Sequence, residues 1–167
     1  ADDLLAFSRW CCVQEWILMD ENFSGSFDQV RELLEKIPEA RGREAFQYFF
    51  LAQIKEHGFS PELVDCVRCQ RPVRVDEEVS FSVGEGGVTH RRCNSNRPIS
   101  QKLLGFLKLF FQGQAFREIA LESADQEELE DLSIPFLEFQ VGQRLKSYQF
   151  FKSLKTGPAS GKTNFNG

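Results

Sequence analysis

No run of about 18 apolar residues occurs in this chain, which excludes a membrane-spanning helix. A basic-then-apolar leader is missing too, so no export signal is expected. The chain opens at Ala1 without an initiator Met and is expected to be a processed or trimmed piece of something longer. Cysteine occurs five times, an odd number that argues against a complete disulfide framework. Histidine is scarce: His57 and His90 are the only two. No Ser–His–Asp arrangement is readable from them, and no carboxylate stands at a metal-pairing spacing from either, so hydrolysis has no legible site. Internal repeats are absent. Trp and Tyr number two each against 17 Phe, so the core is expected to be built on phenylalanine.

One segment lacks a whole sign of charge. Residues 139–167 carry Arg144, Lys146, Lys152, Lys155 and Lys162 and no acid, although the chain as a whole is at −5. Residues 1–60 hold 6 basic and 11 acidic side chains, and residues 61–110 hold 8 and 6. The overall balance disfavours nonspecific DNA binding. Two local basic regions leave room for a phosphate or an acidic peptide, with ordinary solvated surface as the alternative.

What is present is mostly helical period. Leu4, Leu5, Trp10, Cys11 and Ile17 recur at three-to-four spacing and predict an amphipathic helix over 2–19. Cys11 and Cys12 read as thiols that pack there as small hydrophobes, with a redox role as the alternative. Ser26 with Gln29 makes a capping-box pattern before Phe27, Val30, Leu33, Leu34 and Ile37, and Pro38 stops that helix. Glu44 to His57 is a third helix, with Gly58 placed to end it. After Ser60-Pro61 the period changes to two. Val73 and Val75, then Val79, Phe81 and Val83, alternate with polar neighbours on either side of Asp76-Glu77-Glu78, which predicts a two-stranded hairpin. Gly84, Gly86 and Gly87 mark the turn that brings the chain back. Helical period resumes after Cys93, with Pro98 suited to a first turn ahead of Leu103, Leu104, Phe106, Leu107, Phe110 and Phe111. Ser123 and Gln126 suggest another capping box, and Pro135 is expected near the start of a last helix ending about Leu154. The fold class is therefore mainly α, a helical bundle with an inserted zinc-binding β-hairpin. Its helical domain spans 1–155, its metal module about 64–96, and 156–167 form a flexible tail.

The metal reading rests on Cys66-Val67-Arg68-Cys69, a 20-residue interval, and His90-Arg91-Arg92-Cys93. Two residues between ligands let one tight knuckle aim both side chains at one ion. Thiolate and imidazole are the ligands zinc prefers, and four of them complete a tetrahedron. Such a closed site is structural, and its binding free energy becomes folding free energy. The alternatives are free thiols with a surface histidine, or a redox Cys pair, which lacks its strand-then-helix setting. Gly157 to Thr163 imitates a phosphate loop but has three residues between glycines instead of four, and no helix follows it. Arg68, Arg71, Arg74, Arg91 and Arg92 crowd the knuckles, either as phosphate contacts or as the solvated face of a ribbon. Arg144, Lys146, Lys152 and Lys155 interleave with Phe139, Tyr148, Phe150 and Phe151. That is charge beside an apolar surface for an acidic peptide, or a dipole-favouring helix end over core aromatics.

The order of elements resembles a known family. Phe46-Gln47-Tyr48-Phe49-Phe50-Leu51 leads through Gly58-Phe59-Ser60-Pro61-Glu62-Leu63 directly into Cys66 and Cys69, and Gly86-Gly87-Val88 precedes the second pair. This is similar to the C-terminal region of RecO, the bacterial recombination mediator family, over roughly residues 3–155. The resemblance departs at His90, where the family has cysteine, a swap zinc accepts, and in the family's N-terminal OB-fold, to which nothing here corresponds. The chain is thus expected to be the helical, zinc-bearing part or a shortened relative. The resemblance implies a non-enzymatic, cytoplasmic protein. It would bind single- and double-stranded DNA, anneal strands, engage RecR, and help RecA replace single-strand-binding protein. The acidic, Phe-ended tail of that protein would dock here, with Arg144, Lys146, Lys152 and Tyr148 as candidate contacts. The competing class is a zinc-ribbon adaptor that binds only proteins.

Overall fold

A computed structural model describes residues 2–23, 25, 27–36, 42–94, 97–114 and 118–157. In chain order the elements are α1 (Asp2–Met19), α2 (Phe27–Lys36), α3 (Gly42–Glu56), β1 (Val79–Ser82), β2 (Gly87–His90), β3 (Arg97–Ile99), α4 (Gln101–Phe111), α5 (Ser123–Val141) and α6 (Lys146–Thr156). The fold is mainly helical with a small antiparallel sheet, as the periodicity indicates. The expected cap at Ser26, the stop at Pro38 and the tail from Pro158 onward lie outside the described residues.

The chain divides into two compact units, Ala1–Phe46 with Arg144–Gly167, and Gln47–Gln143. In the first, α1 packs on α6. Cys12, Val13 and Trp16 are buried, as are Leu145, Tyr148 and Phe151, and the rings of Phe46 and Phe151 lie 5.9 Å apart. The Glu15 carboxylate on α1 accepts the first two backbone N–H groups of α6, from Lys146 at 2.9 Å and Ser147 at 2.8 Å, and also the Ser147 hydroxyl. These amides have no partner within their own helix, and a carboxylate there also complements the helix dipole.

In the second unit α3 ends as expected at Gly58, whose φ of 75° is the left-handed conformation of a helix terminator. The sheet has strand order β2-β1-β3, with Phe81 opposite Val88 on one side and Arg97 on the other. Phe81 meets Phe136 of α5 edge to face at 5.7 Å. Every residue of β1 and β2 is buried, so both faces of this ribbon are covered. At α4, Ser100 is the N-cap, and its hydroxyl accepts from the Leu103 N–H at 3.1 Å. The same hydroxyl bonds Asp125 at 3.2 Å, and the Ser100 N–H donates to Glu128, tying the start of α4 to α5.

Four sequence expectations change. Residues 73–75 form no strand: Val73 is buried but Val75 is 86% exposed, and the pairing at this point is a single bridge between Asp65 and Pro72. The hairpin is instead β1 with β2 around the glycine turn. Pro98 sits in β3, at the sheet edge where a residue without N–H is tolerated, and not in a helical turn. The α5 cap lies one residue earlier than expected, with Asp125 accepting the Glu122 N–H at 3.0 Å. Pro135 lies inside α5, and the last helix starts only at Lys146, after Gly142 ends α5 at φ 70°. Proline in a helix leaves the carbonyl four residues back without its donor. Here that carbonyl belongs to Asp131, and the Arg97 guanidinium donates to it.

Candidate metal centre

The first knuckle is a tight turn. The Gln70 N–H returns to the Cys66 carbonyl at 2.8 Å, the Cys66 N–H donates to Arg71 at 2.9 Å, and Gln70 has φ 58°. The segment leading into it runs alongside β2. Glu62 N–H donates to Gly86 O, Val88 N–H to Glu62 O, and Val67 N–H to Val88 O, each at 2.9 Å. This approach is close enough that a Cβ on Gly87 would stand 2.5 Å from the Glu62 carbonyl oxygen and 2.8 Å from Val67 Cγ1. Glycine is required there for space. The second knuckle repeats the turn. Cys93 and Asn94 N–H groups return to the His90 carbonyl at 2.8 and 3.1 Å.

Together the knuckles gather Cys66, Cys69, His90 and Cys93, whose ligand atoms all lie within 4.8 Å of one another. Tetrahedral bonds of about 2.3 Å would separate sulfur ligands by about 3.8 Å, and Cys69 Sγ already stands 3.3 Å from His90 Nδ1. The arrangement can hold a metal ion, and its donor set suits zinc. Cys66 and His90 are buried, and Cys69 and Cys93 are half-buried. Burial raises the Cys66 thiol, but backbone N–H groups of Cys69, His90 and Arg68 turned toward its sulfur outweigh that and bring it down to about 6. Burial and the neighbouring sulfurs of Cys69 and Cys66 push Cys93 up. A cluster that crowds thiols and also offers them amide donors is arranged for thiolates neutralised by a cation.

Beyond the ligands lies a polar shell. His90 Nε2 is 3.3 Å from the Pro72 carbonyl and 3.2 Å from Glu77 Oε2. Arg68 Nε donates to Glu85 at 2.8 Å, and its Nη1 donates to the Cys93 carbonyl at 3.2 Å, while Asn94 donates to Glu85 at 3.2 Å. Arg68 and Glu85 therefore strap one knuckle to the other through the glycine turn. Arg68, a phosphate candidate by sequence, thus has a structural partner, while the residues behind the ligands, Glu77, Glu85 and Pro72, carry no sequence signal of that role. Asp76-Glu77-Glu78 shows in the sequence as an acidic run, but nothing local marks Glu85 or Pro72 as a neighbour of the ligands.

Of the other candidate residues, Arg71, Arg74, Arg91 and Arg92 are exposed in the same unit as the cluster, Arg91 with Glu78 at 3.3 Å. Arg144, Lys146, Lys152 and Tyr148 belong to the other unit. Arg144 and Lys146 are exposed, and Lys152 Nζ lies 5.8 Å from the Tyr148 ring. That ring is only 1% exposed, so it is core and offers no surface to a peptide. Cys12 is buried and Cys11 half-buried, as expected for packing thiols, and burial and then Glu15 push the Cys11 thiol up. His57 stacks on Phe59 at 5.9 Å. Among the described residues no helix is long and apolar enough to cross a membrane.

A family model described as recombination protein O C terminal matches residues 17–149, a span that contains both knuckles. No curated protein and no solved structure matches the chain.

Proposed function

The chain belongs to the recombination protein O C-terminal family, and from that premise we propose that it serves DNA repair and recombination by binding, as a mediator and not as an enzyme. The family's general role is in recombination. The finer reading concerns what this chain holds and touches. Cys66, Cys69, His90 and Cys93 bind one zinc ion, and all four positions are filled by protein, so the ion braces the module and leaves no open coordination site for substrate. The observation that carries this is the convergence of the four ligand atoms within 4.8 Å.

DNA contact falls to Arg71, Arg74, Arg91 and Arg92, whose exposed guanidinium groups suit phosphate oxygens. Arg68 contributes by holding the knuckles together. Single- and double-stranded DNA are the ligands, with RecR and the acidic tail of single-strand-binding protein as cytoplasmic partners in strand annealing and RecA loading. On α6 the tail would meet Lys146 and Phe150, four residues apart on one helical face and both exposed, with Arg144 and Lys152 adding charge.

The test is salt-dependent binding to single-stranded DNA. Arg91→Ala with Arg92→Ala should weaken binding evenly across sequences and flatten the dependence on salt by roughly one phosphate contact per arginine lost. Zinc-loaded, folded protein with no DNA retention would favour the protein-only adaptor.

A further inference from the structure

This inference deepens the zinc reading and rests on it. Three thiolates and a neutral imidazole give a zinc site less negative than four thiolates do, and an imidazole can ligate through either nitrogen. Both matters turn on what faces the ring's far side. His90 Nε2 stands 3.3 Å from the Pro72 carbonyl and 3.2 Å from Glu77 Oε2. Neither partner can donate, so a neutral ring must carry its proton on Nε2. The bare Nδ1 then faces the cluster, 3.3 Å from Cys69 Sγ. Glu77 is itself held. Its Oε2 accepts the Arg74 N–H at 3.0 Å, and Gln101, the first residue of α4, donates its amide to the backbone carbonyls of Arg74 at 3.1 Å and Glu77 at 2.5 Å. The acidic loop is thus pinned to the sheet module in one geometry, with its carboxylate on the imidazole.

We infer that Glu77 is the positioning residue of the centre: it fixes His90 as an Nδ1 ligand and supplies, through the Nε2–H bond, the negative charge that a fourth thiolate would bring. A carboxylate behind a ligating imidazole raises its basicity and holds its orientation, and loss of such a partner typically weakens metal binding by about 10–100-fold.

The experiment measures zinc affinity of the full chain by competition with a chromophoric chelator, in four proteins: unchanged, Glu77→Gln, His90→Cys, and the two together. Glu77→Gln should weaken zinc about 10–100-fold when His90 is present and should cause no loss when Cys replaces it. That difference separates action through the imidazole from support of the loop through Arg74, which would cost the same in both backgrounds and would overturn the inference. Nitrogen NMR of the unchanged, zinc-loaded chain gives a second reading that needs no variant to fold: the metal is expected on Nδ1 and the proton on Nε2. Zinc on Nε2 overturns the inference and leaves the zinc reading standing, whereas an unchanged chain that takes up no zinc overturns both.

Discussion

Gly87 and Arg97 each answer a constraint imposed by a neighbour. The Glu62 carbonyl passes so near Gly87 that a methyl group would meet backbone, which cannot swing aside as a long side chain can. Gly87→Ala should therefore cost about 1–3 kcal/mol, the usual range for forced overpacking, read as a lower urea midpoint. It should also loosen the first knuckle, since the Val67 N–H donates to the Val88 carbonyl one residue away. Arg97 answers the carbonyl that Pro135 leaves open on Asp131. Removing it by Arg97→Ala should cost about 1–3 kcal/mol for the orphaned acceptor. Pro135→Ala would return an amide donor to that carbonyl, so Arg97→Ala should cost less in its presence. A double-mutant cycle by denaturant unfolding checks this, and equal costs in both backgrounds would remove the role assigned to Arg97.

At the scale of elements, α6 depends on α1 for its start. Burial raises the Glu15 carboxyl, but the Ser147 hydroxyl and the Ser147 and Lys146 amides outweigh it and hold the group below its ordinary value of 4.5. A lowered folded-state value means the contribution is full above the unfolded value and disappears as pH falls through the folded one. Glu15→Ala should thus destabilise by about 1–2 kcal/mol at neutral pH. The gap between variant and unchanged protein should narrow as pH falls below the carboxyl's ordinary value of 4.5 and vanish at more acid pH, as followed by thermal melting across pH. A gap independent of pH would show that the carboxylate's charge is not what caps α6.

Much of this was legible, and what was not has a physical reason. Helices α1 and α3 and the four ligands follow local rules: apolar period, a terminating glycine, two-residue ligand spacing. The strand reading of residues 73–75 misled because Val73 and Val75 alternate as a strand would, yet only Val73 is covered, its N–H bonded to the Val64 carbonyl at 2.9 Å, while Val75 faces solvent. β1 and β2, by contrast, are buried on both faces and hold polar residues inside. Ser82 accepts the Glu85 N–H at 3.3 Å, Thr89 donates to Asn94 at 3.3 Å, and His90 turns into the cluster. Pro135 misled because the donor that takes up the carbonyl it leaves open lies 34 residues from Asp131, and Glu15 lies 132 residues from the Ser147 it caps. No window along the sequence contains such pairs.

At the scale of the whole molecule, metal and fold should prove to be one equilibrium in the unit Gln47–Gln143. Structural zinc contributes its binding free energy to folding. A strong chelator should lower the melting temperature and speed amide exchange at Val67 and Val88, whose backbone bonds bridge the first knuckle to β2. Exchange in α1 over Cys12 to Trp16, which belongs to the other unit, reports whether the effect spreads. Equal melting with and without chelator, in protein shown to contain zinc beforehand, would detach the ion from stability.

The two units also differ in how the chain supplies them. One is an unbroken stretch, Gln47–Gln143, while the other joins Ala1–Phe46 to Arg144–Gly167. A ribosome delivers residues in one direction, so α1 is made before α6 and waits for its covering partner while the whole stretch between them is synthesised. During that interval the face of α1 that packs on α6 is uncovered, and the stretch Gln47–Gln143 has all its own residues before the two segments of the other unit can meet. A nascent chain stalled before Lys146 would therefore hold every residue of the unit Gln47–Gln143 while α1 still lacked the helix it packs on.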